Sequence, residues 1–161
     1  MTDVSGTHPM TDQQAICETV YRYGYALDNR DWVLYRSVFA DTVHFDFSTY
    51  SGRPPIDMRA DDLVASAALL FAGFAATQHT MTNPLVLIDG DRATCSMYIQ
   101  AAHSVEPEPE APWFIMGGHY EDTLVRSSSG WLLDGVTMKL RWTQGDRSIM
   151  RTAVQRGKAA Q

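Results

Sequence analysis

Two residues that lie far apart in the chain, Asp28 and His79, are of the types that perform acid–base chemistry together. A carboxylate that accepts one imidazole N–H fixes the histidine tautomer and leaves the second ring nitrogen free to take a proton. Taken alone, Asp28 is equally well a structural acid at a helix end. A histidine in a threonine-rich strand is likewise more often a satisfied sheet residue than a base. The elements that carry the two residues therefore decide whether they meet.

The segment that carries Asp28 has the signature of an amphipathic helix. Thr11 and Gln14 match a capping box, in which each side chain satisfies an amide at the helix start. Asp28 lies about 100° around the helix from Leu27, at the edge of the apolar face. An anion is electrostatically disfavoured at a helix C-terminus, which indicates another reason for this acid. The apolar residues recur at helical spacing: Ile16, Val20, Tyr23 and Leu27.

Shorter elements are predicted between the two candidate residues. Asp31 is a natural N-cap for a short second helix. Alternation of apolar and polar residues over 43–48 predicts a half-buried strand, which the Gly- and Pro-containing segment 51–55 interrupts. A third helix is expected to begin near Asp57 or Asp61, with an alanine-rich face that allows close approach to a sheet.

From residue 77 onward the pattern is almost entirely that of strands. Asp-Gly at 89–90 between two alternating runs predicts an antiparallel hairpin, and the Glu- and Pro-rich segment 105–112 predicts a loop. Helices followed by long strands indicate an α+β fold, in which one curved antiparallel or mixed sheet wraps the N-terminal helices as a cone and encloses one apolar pocket. The predicted strands cover 78–88, 92–104, 113–126 and 131–142.

Composition limits the number of domains and the classes of partner. A chain of 161 residues, 45% of them hydrophobic, is expected to form a single domain over 1–161, with a core at about 10–143 and a basic polar tail at 144–161. The net charge of −6 and the absence of a basic run in the body argue against nucleic acid. Two cysteines, no signal peptide and no membrane-length apolar run predict a cytoplasmic protein with free thiols and no membrane partner.

Further candidates for the pocket come from strand alternation. His103 and Met97 share one parity with the apolar residues of their strand, so both are expected to face the interior. Trp142 shares the apolar parity of the last strand and is another predicted lining residue. Tyr23 offers a hydroxyl from the first helix, although a packing role is the simpler interpretation.

A metal site is considered and not predicted. Asp28, His79, His103 and His119 are ligand types that could converge, but no two of them have a short-range ligand spacing. No Gly-rich phosphate loop or nucleophile elbow occurs either. We therefore expect no metal and no cofactor.

Several sequence segments, in this order, resemble the SnoaL-like branch of the nuclear transport factor two-like superfamily. The resemblance covers about residues 10–143 and implies an α+β cone. That superfamily includes scytalone dehydratase, bile-acid 7α-dehydratase, hexachlorocyclohexane dehydrochlorinase, polyketide cyclases, ketosteroid isomerase and the small subunit of ring-hydroxylating dioxygenases. The matching segments are 25–32, 39–47, Gln78-His79, Asp89-Gly90-Asp91, Gly118-His119-Tyr120 and Gly130-Trp131.

The resemblance implies roles for individual residues. The dehydratases and the dehydrochlorinase pair an acid at the Asp28 position with a histidine at the His79 position. His103 is similar to a second histidine of scytalone dehydratase, and Tyr23 stands where the bile-acid enzyme has a functional tyrosine. Leu27 replaces an active-site tyrosine of scytalone dehydratase, as Phe47 also does, which argues against scytalone as the substrate. The expected substrate contacts are Tyr25, Phe47, Asn83, Met97, Trp113, Tyr120 and Trp142.

The leading hypothesis is a cofactor-independent lyase or isomerase acting on a small apolar cyclic molecule such as a steroid, polyketide or terpenoid. In it His79 is the base, Asp28 orients it, and Tyr23 or His103 acts on the leaving group or the carbonyl. One alternative is a non-catalytic ligand-binding or assembly subunit of the same fold. Another is a polyketide cyclase or a monooxygenase-like activity. The exposed sheet face predicts a homo-dimer or homo-trimer.

Overall fold

The computed structural model describes residues 10–108 and 110–160. It contains helices before, between and after the strands of a single mixed sheet. In chain order the elements are α1 (Asp12–Asn29), α2 (Trp32–Ser37), β1 (Phe39–Asp46), α3 (Ser48–Ser51), β2 (Ile56–Arg59), α4 (Ala60–Phe71), β3 (Ala76–Asp89), β4 (Arg92–Ser104), β5 (Phe114–Ser127), β6 (Gly130–Gly145) and α5 (Ser148–Ala159).

Helix α1 begins as the sequence predicts. The Thr11 hydroxyl accepts the Gln14 backbone N–H at 3.2 Å, and the Gln14 side chain accepts the Thr11 backbone N–H at 2.9 Å. The helix ends at Arg30, which adopts a left-handed conformation with φ of 55°. Asp31 then caps α2 through the backbone N–H of Leu34 at 2.9 Å. Two consecutive caps thus turn the chain immediately after Asp28.

The six strands form an open sheet in the order β2-β1-β6-β5-β4-β3. The pair β1 and β6 is parallel, and the other neighbouring pairs are antiparallel. Helix α1 packs against β3 and β6, and α4 packs against β1 and β2. The predicted α+β cone with a mixed sheet is confirmed.

Turns and bulges fix the register of the long strands. The predicted hairpin at Asp89 is present, with Asp89 opposite Arg92 and Gly90 at a φ of 59°. The register also shifts within the β3–β4 pair after Thr82 and within the β5–β6 pair near Gly117. Such bulges reverse the face of every later side chain, which strand alternation alone does not reveal.

The last residues form helix α5, where the sequence predicted a polar tail. Ile149, Ala153 and Gly157 are buried at a spacing of four, which is one face of a helix. Added Cβ atoms at Gly73 and Gly157 would lie 1.9 Å from backbone oxygens of α5 and α4 respectively, so the two helices cross at backbone contact. The tail prediction was wrong because small residues, which do not stand out as an apolar stripe, make this contact.

The segment between β1 and α4 also holds two short elements that the sequence did not predict, α3 and β2. On the outer face of the sheet, Leu85, Leu87, Tyr98 and Trp142 are exposed. The predicted homo-oligomer would use such a face and stays a prediction. No helix in the described part of the chain is long and apolar enough to cross a bilayer.

Candidate active site

Asp28 and His79 are in direct contact between the end of α1 and the start of β3. The Asp28 Oδ1 atom lies 2.7 Å from His79 Nδ1, and Oδ2 accepts the His79 backbone N–H at 2.7 Å. The Thr77 hydroxyl donates a further hydrogen bond to Oδ1 at 2.9 Å. Three donors from one strand therefore fix the position of the carboxylate.

The carboxylate determines the tautomer of His79. Burial by itself raises the pKa of Asp28, but the hydrogen bonds from His79 and Thr77 outweigh it and hold that pKa below its usual value. An ionised carboxylate only accepts hydrogen bonds, so His79 Nδ1 carries the hydrogen of this contact. Nε2 of the neutral ring is then left with its lone pair. The His79 side chain is 6% exposed and contributes to a cavity wall.

Close approach of β3 to α1 depends on Gly24, one helical turn before Asp28. A Cβ atom at Gly24 would lie 3.3 Å from the His79 Cβ and 2.7 Å from the Met81 sulfur. These distances are shorter than ordinary van der Waals contact, so a larger residue would push the strand away. Gly24 therefore permits the distance that the Asp28–His79 pair requires.

Arg30 anchors the helix end that carries Asp28. Its guanidinium donates to the backbone oxygens of Phe71 at 3.2 Å and Phe74 at 2.8 Å, at the end of α4. A third bond at 3.2 Å reaches the Asp28 backbone oxygen. A cation that satisfies terminal carbonyls also offsets the unfavourable helix-end potential at Asp28. The Phe71 ring, held by the same contacts, stacks on His79 at 5.9 Å between centroids.

A cavity of about 370 Å³ lies beside the pair, between α1, α4 and the inner face of the sheet. Its walls are mostly aromatic rings and thioethers. The lining residues are Tyr23, Leu27, Tyr35, Phe45, Phe47, Tyr50, Ser51, Met58, Leu63, Ser66, Ala67, Leu70, Phe71, His79, Ile99, Ala101, His103, Met116, Tyr120, Met138 and Met150. Such a concave apolar site with a few polar groups is typical of a small-molecule site.

His103 lies in the cavity wall next to the pair, as strand alternation predicts. Its ring meets the His79 ring edge to face at 5.7 Å, and its Nδ1 is buried without a hydrogen-bond partner. Burial, followed by the charge of a protonated His79, lowers the pKa of His103 to about 4. His103 is therefore neutral near pH 7, and its ring can offer a hydrogen bond without a net charge.

Three tyrosines form a second polar group in the same cavity. The Tyr23 ring lies 5.4 Å from that of Tyr35 and 5.8 Å from that of Tyr120, measured between centroids. Burial is the main cause that raises the pKa of all three, and hydrogen bonds within the group modify it. Each hydroxyl is therefore protonated at neutral pH and can donate to an oxygen of a ligand.

The structure brings together six of the residues that the sequence nominated. Asp28 lies behind His79, and the other five line the cavity: Tyr23, Phe47, His79, His103 and Tyr120. The residues nominated for substrate contact that lie outside the cavity wall are Tyr25, Asn83, Met97, Trp113 and Trp142.

Local geometry explains why three of these residues lie outside the cavity wall. Tyr25 is two residues beyond Tyr23, on the opposite side of α1, and is 64% exposed. Met97 is buried but precedes Ile99, the first residue of β4 in the wall. Trp113 precedes β5 and is partly exposed.

The positions of the other two residues, Asn83 and Trp142, result from the bulges. Asn83 sits in the register shift of β3 with a φ of 57° and borders a groove on the outer face. Opposite Gly118 and Gly117 stand Leu140 and Trp142, so Arg141 is an extra residue. The bulge turns Trp142 outward, where its indole covers Gly117.

The residues considered for a metal do not all meet. His119 borders the outer groove and contacts Glu121 at 3.0 Å, away from Asp28, His79 and His103. Within residues 10–108 and 110–160, no group of three or more His, Cys, Asp or Glu side chains is arranged to hold a metal ion.

Three positioning residues were not nominated from the sequence for the contacts that they make: Gly24, Arg30 and Thr77. Gly24 carried a usable signal, because glycine inside an apolar helical pattern costs stability and indicates close packing. Thr77 shares strand parity with His79, which places both side chains on the same face. Nothing local in the sequence indicates the long-range contacts of Arg30.

Comparison with known families identifies the family of the chain. Residues 9–137 match the description of a SnoaL-like domain, which is most of the chain. The chain belongs to the SnoaL-like family. This membership confirms the resemblance to the nuclear transport factor two-like superfamily and its cone fold.

Three proteins that are similar to this chain come from different organisms. The terrestric acid biosynthesis cluster protein E of Penicillium crustosum is 27% identical over 152 residues, covering 91% of this chain and 94% of its own. The crystal structure of the Kfla4162 protein of Kribbella flavida is 29% identical, with a TM-score of 0.79 and coverage of 88% and 96%. The hexachlorocyclohexane dehydrochlorinase LinA-type3 of Novosphingobium barchaimii shares the fold, at 14% identity, a TM-score of 0.67 and coverage of 85% and 91%.

Proposed function

We propose that the protein is a cofactor-independent lyase or isomerase that removes a proton from a small cyclic substrate bound in the inner cavity. The observation that carries this proposal is the 2.7 Å contact between Asp28 Oδ1 and His79 Nδ1 at the wall of an apolar cavity. A histidine oriented in this way presents Nε2 as a general base. The relation to a biosynthesis cluster protein supports a role in small-molecule metabolism.

In the proposed reaction, His79 Nε2 takes a proton from a carbon adjacent to a carbonyl, and Asp28 stabilises the imidazolium that forms. The electrons of the broken C–H bond form an enolate, which then expels a β-hydroxyl as water or is protonated at another carbon. The Tyr23 hydroxyl donates a hydrogen bond to the developing oxyanion. The proton that His79 Nε2 has taken is passed to the departing hydroxyl, or to the second carbon, which restores the neutral base. Because His103 is neutral, its role is to polarise an oxygen rather than to deliver a proton.

The non-catalytic alternative, in which the cone only binds a ligand or a partner, would be favoured by a separated Asp28–His79 pair together with a filled interior. An open cavity of about 370 Å³ and a direct Asp28–His79 contact favour catalysis over that role. A cyclase or monooxygenase-like reaction in the same cavity would be distinguished by its product.

A β-hydroxyketone probe tests the proposal directly. Dehydration of 3-hydroxy-1-tetralone releases water and yields fluorescent 1-naphthol, so elimination can be followed continuously. The wild-type protein is expected to accelerate this reaction, and His79→Ala is expected to abolish the acceleration while the far-UV circular dichroism stays unchanged. His119→Ala, which removes a histidine from the outer face, is the matched control and should keep full activity.

Equal rates for the wild type and His79→Ala would exclude His79 as the base. A wild-type protein that leaves 3-hydroxy-1-tetralone unchanged but exchanges the C1 protons of 2-tetralone for deuterium would abstract a proton without eliminating water, which excludes the dehydratase and keeps the isomerase.

A further inference from the structure

The polar groups of the cavity are of types that carry no permanent charge. Among the residues that the structure describes, no Lys, Arg, Asp or Glu contributes to the cavity wall. Its polar side chains are two histidines, three grouped tyrosines, Tyr50 and two serines. The raised pKa values of the grouped tyrosines and the lowered pKa of His103 keep these groups neutral.

The charged groups that contact the wall do not offset this neutrality for an anion, since Arg30 already donates to the backbone oxygens of Asp28, Phe71 and Phe74. Asp28 is negative and lies directly behind His79, so its field opposes a second negative charge in the cavity. Arg147 lies near the wall residue Tyr50, but its guanidinium donates to the Tyr50 backbone oxygen at 2.7 Å and covers the Tyr50 ring at 4.7 Å. An ionised ligand would therefore lose its hydration without gaining a counter-ion.

The wall combines flat aromatic surface with flexible side chains. Phe45 and Phe47 stack nearly parallel, at 4.3 Å and 7°, and present flat aromatic surface. The wall also contains Met58, Met116, Met138 and Met150. Methionine side chains are unbranched and adapt to ligands of different outline. Shape is thus a weaker criterion in this cavity than charge.

We propose that the cavity selects uncharged, ring-containing substrates and excludes their carboxylate and phosphate forms, while it tolerates different ring outlines. This inference rests on the proposed function in taking the inner cavity as the substrate site. It narrows the substrate class from cyclic molecules in general to neutral ketones and alcohols. The protein offers such ligands hydrogen bonds from the two histidines in one part of the cavity and from the grouped tyrosines in another.

Binding of matched ligands tests the inference without turnover. Isothermal titration calorimetry compares 2-acetylnaphthalene with 2-naphthoate, which have nearly the same outline and differ in charge. At pH 7.5 the ketone is expected to bind at least roughly 100-fold more tightly, because the carboxylate is desolvated without a partner. The isomeric ketones 1-acetylnaphthalene and 4-acetylbiphenyl should bind within about 10-fold of 2-acetylnaphthalene.

A gain-of-binding variant tests whether the missing cation is the cause. Met150→Lys introduces an ammonium group on a side chain of similar length, at a half-buried wall position, and Met150→Gln is the uncharged control. Met150→Lys is expected to raise the affinity for 2-naphthoate by roughly 10-fold or more, with 2-acetylnaphthalene little changed. Circular dichroism verifies that both variants fold.

Two results would overturn the inference: wild-type binding of 2-naphthoate as tight as that of 2-acetylnaphthalene, or equal gains for Met150→Lys and Met150→Gln. Failure of the proposed function is separable, because His79→Ala should keep the same preference for neutral ligands. A neutral preference in a protein that never dehydrates 3-hydroxy-1-tetralone would retain the inference and reject the lyase.

Discussion

Helix α1 carries an aspartate at each end, and the two carboxylates have similar numbers of hydrogen bonds but different surroundings. Asp12, in the first turn, accepts two bonds from Arg126 at 2.8 and 2.7 Å and one from the Trp131 indole at 3.0 Å. Asp28, in the last turn, accepts three bonds from β3, two of them from His79. The pKa values of both carboxyls are lowered.

The difference lies in the helix potential and in the partner. An anion at a helix N-terminus is favoured, so Asp12 is stabilising before its partners are considered. Asp28 occupies the unfavourable end, and Arg30 and β3 must compensate. The Asp12 partner Arg126 is permanently charged, whereas the Asp28 partner is an imidazole, the side chain that proteins most often use for proton transfer. Similar hydrogen bonding thus serves attachment at one end and, in our proposal, proton transfer at the other.

Of the substitutions at the two ends of α1, Asp28→Asn should have the largest effect on activity. The amide keeps the shape of the side chain but loses the charge that holds the His79 tautomer and stabilises the imidazolium. The rate constant kcat/KM for 3-hydroxy-1-tetralone is expected to fall by about 10³–10⁴-fold, as for other carboxylates that orient a catalytic histidine. Steady-state fluorescence of 1-naphthol provides the measurement.

Asp12→Asn is the matched control, because it makes the same chemical change at the other end of the same helix. Its kcat/KM should stay within about 2-fold of the wild type, since Asp12 makes no contact with the cavity. Equal losses from the two variants would mean that Asp28 is also only an attachment point.

The elements around Asp28 could be predicted from local sequence, because each depends on neighbouring residues. The Thr11 capping box, the Asp31 cap and the hairpin at Asp89 are set by short-range hydrogen bonds and turn geometry, and all are present. Strand alternation also placed His103 correctly on the interior face. The proximity of Asp28 to His79 was an expectation from family resemblance, since spacing alone left Asp28 undecided.

What could not be predicted depends on contacts between distant segments. The bulge that turns Trp142 outward is set by pairing with β5, and alternation continues through it unchanged in the sequence. Helix α5 packs through Gly73 and Gly157, where the absence of a side chain allows contact. Arg30 reaches the end of α4, forty residues or more away in the chain. No local pattern encodes such contacts.

The two ends of α1 should also differ in how acid affects stability, because His103 lies next to His79, the partner of Asp28. Its pKa is about 4 in the folded protein and near 6.5 when exposed, so between these values the unfolded chain binds more protons. Stability is therefore expected to rise with pH across this window. On acidification from pH 6.5 to 4 the loss amounts to at most about 3 kcal/mol.

His103→Phe removes this titration and places a ring among Phe71 and Phe74, which already contact the histidine. Urea unfolding at pH 7 and pH 4.5 should show a smaller decrease for the variant than for the wild type. The other ionisable groups are common to both proteins, so the comparison isolates the contribution of His103. Parallel profiles would show that His103 is protonated in the folded state.

Asp12→Asn should have a small effect, on stability alone. The Asp12 side chain is 45% exposed, so solvent weakens its ion pair with Arg126, and a decrease in Tm of only a few degrees is expected at pH 7. The pKa of Asp12 is about 2 in the folded protein, below its unfolded value, so its contribution is complete above about pH 4 and declines toward pH 2. The difference in Tm between wild type and variant should narrow over that range in differential scanning calorimetry.

Asp91→Asn, which removes the more exposed partner of Arg126, should change Tm less. A larger loss from Asp91→Asn would mean that Arg126 stabilises the hairpin turn rather than the start of α1.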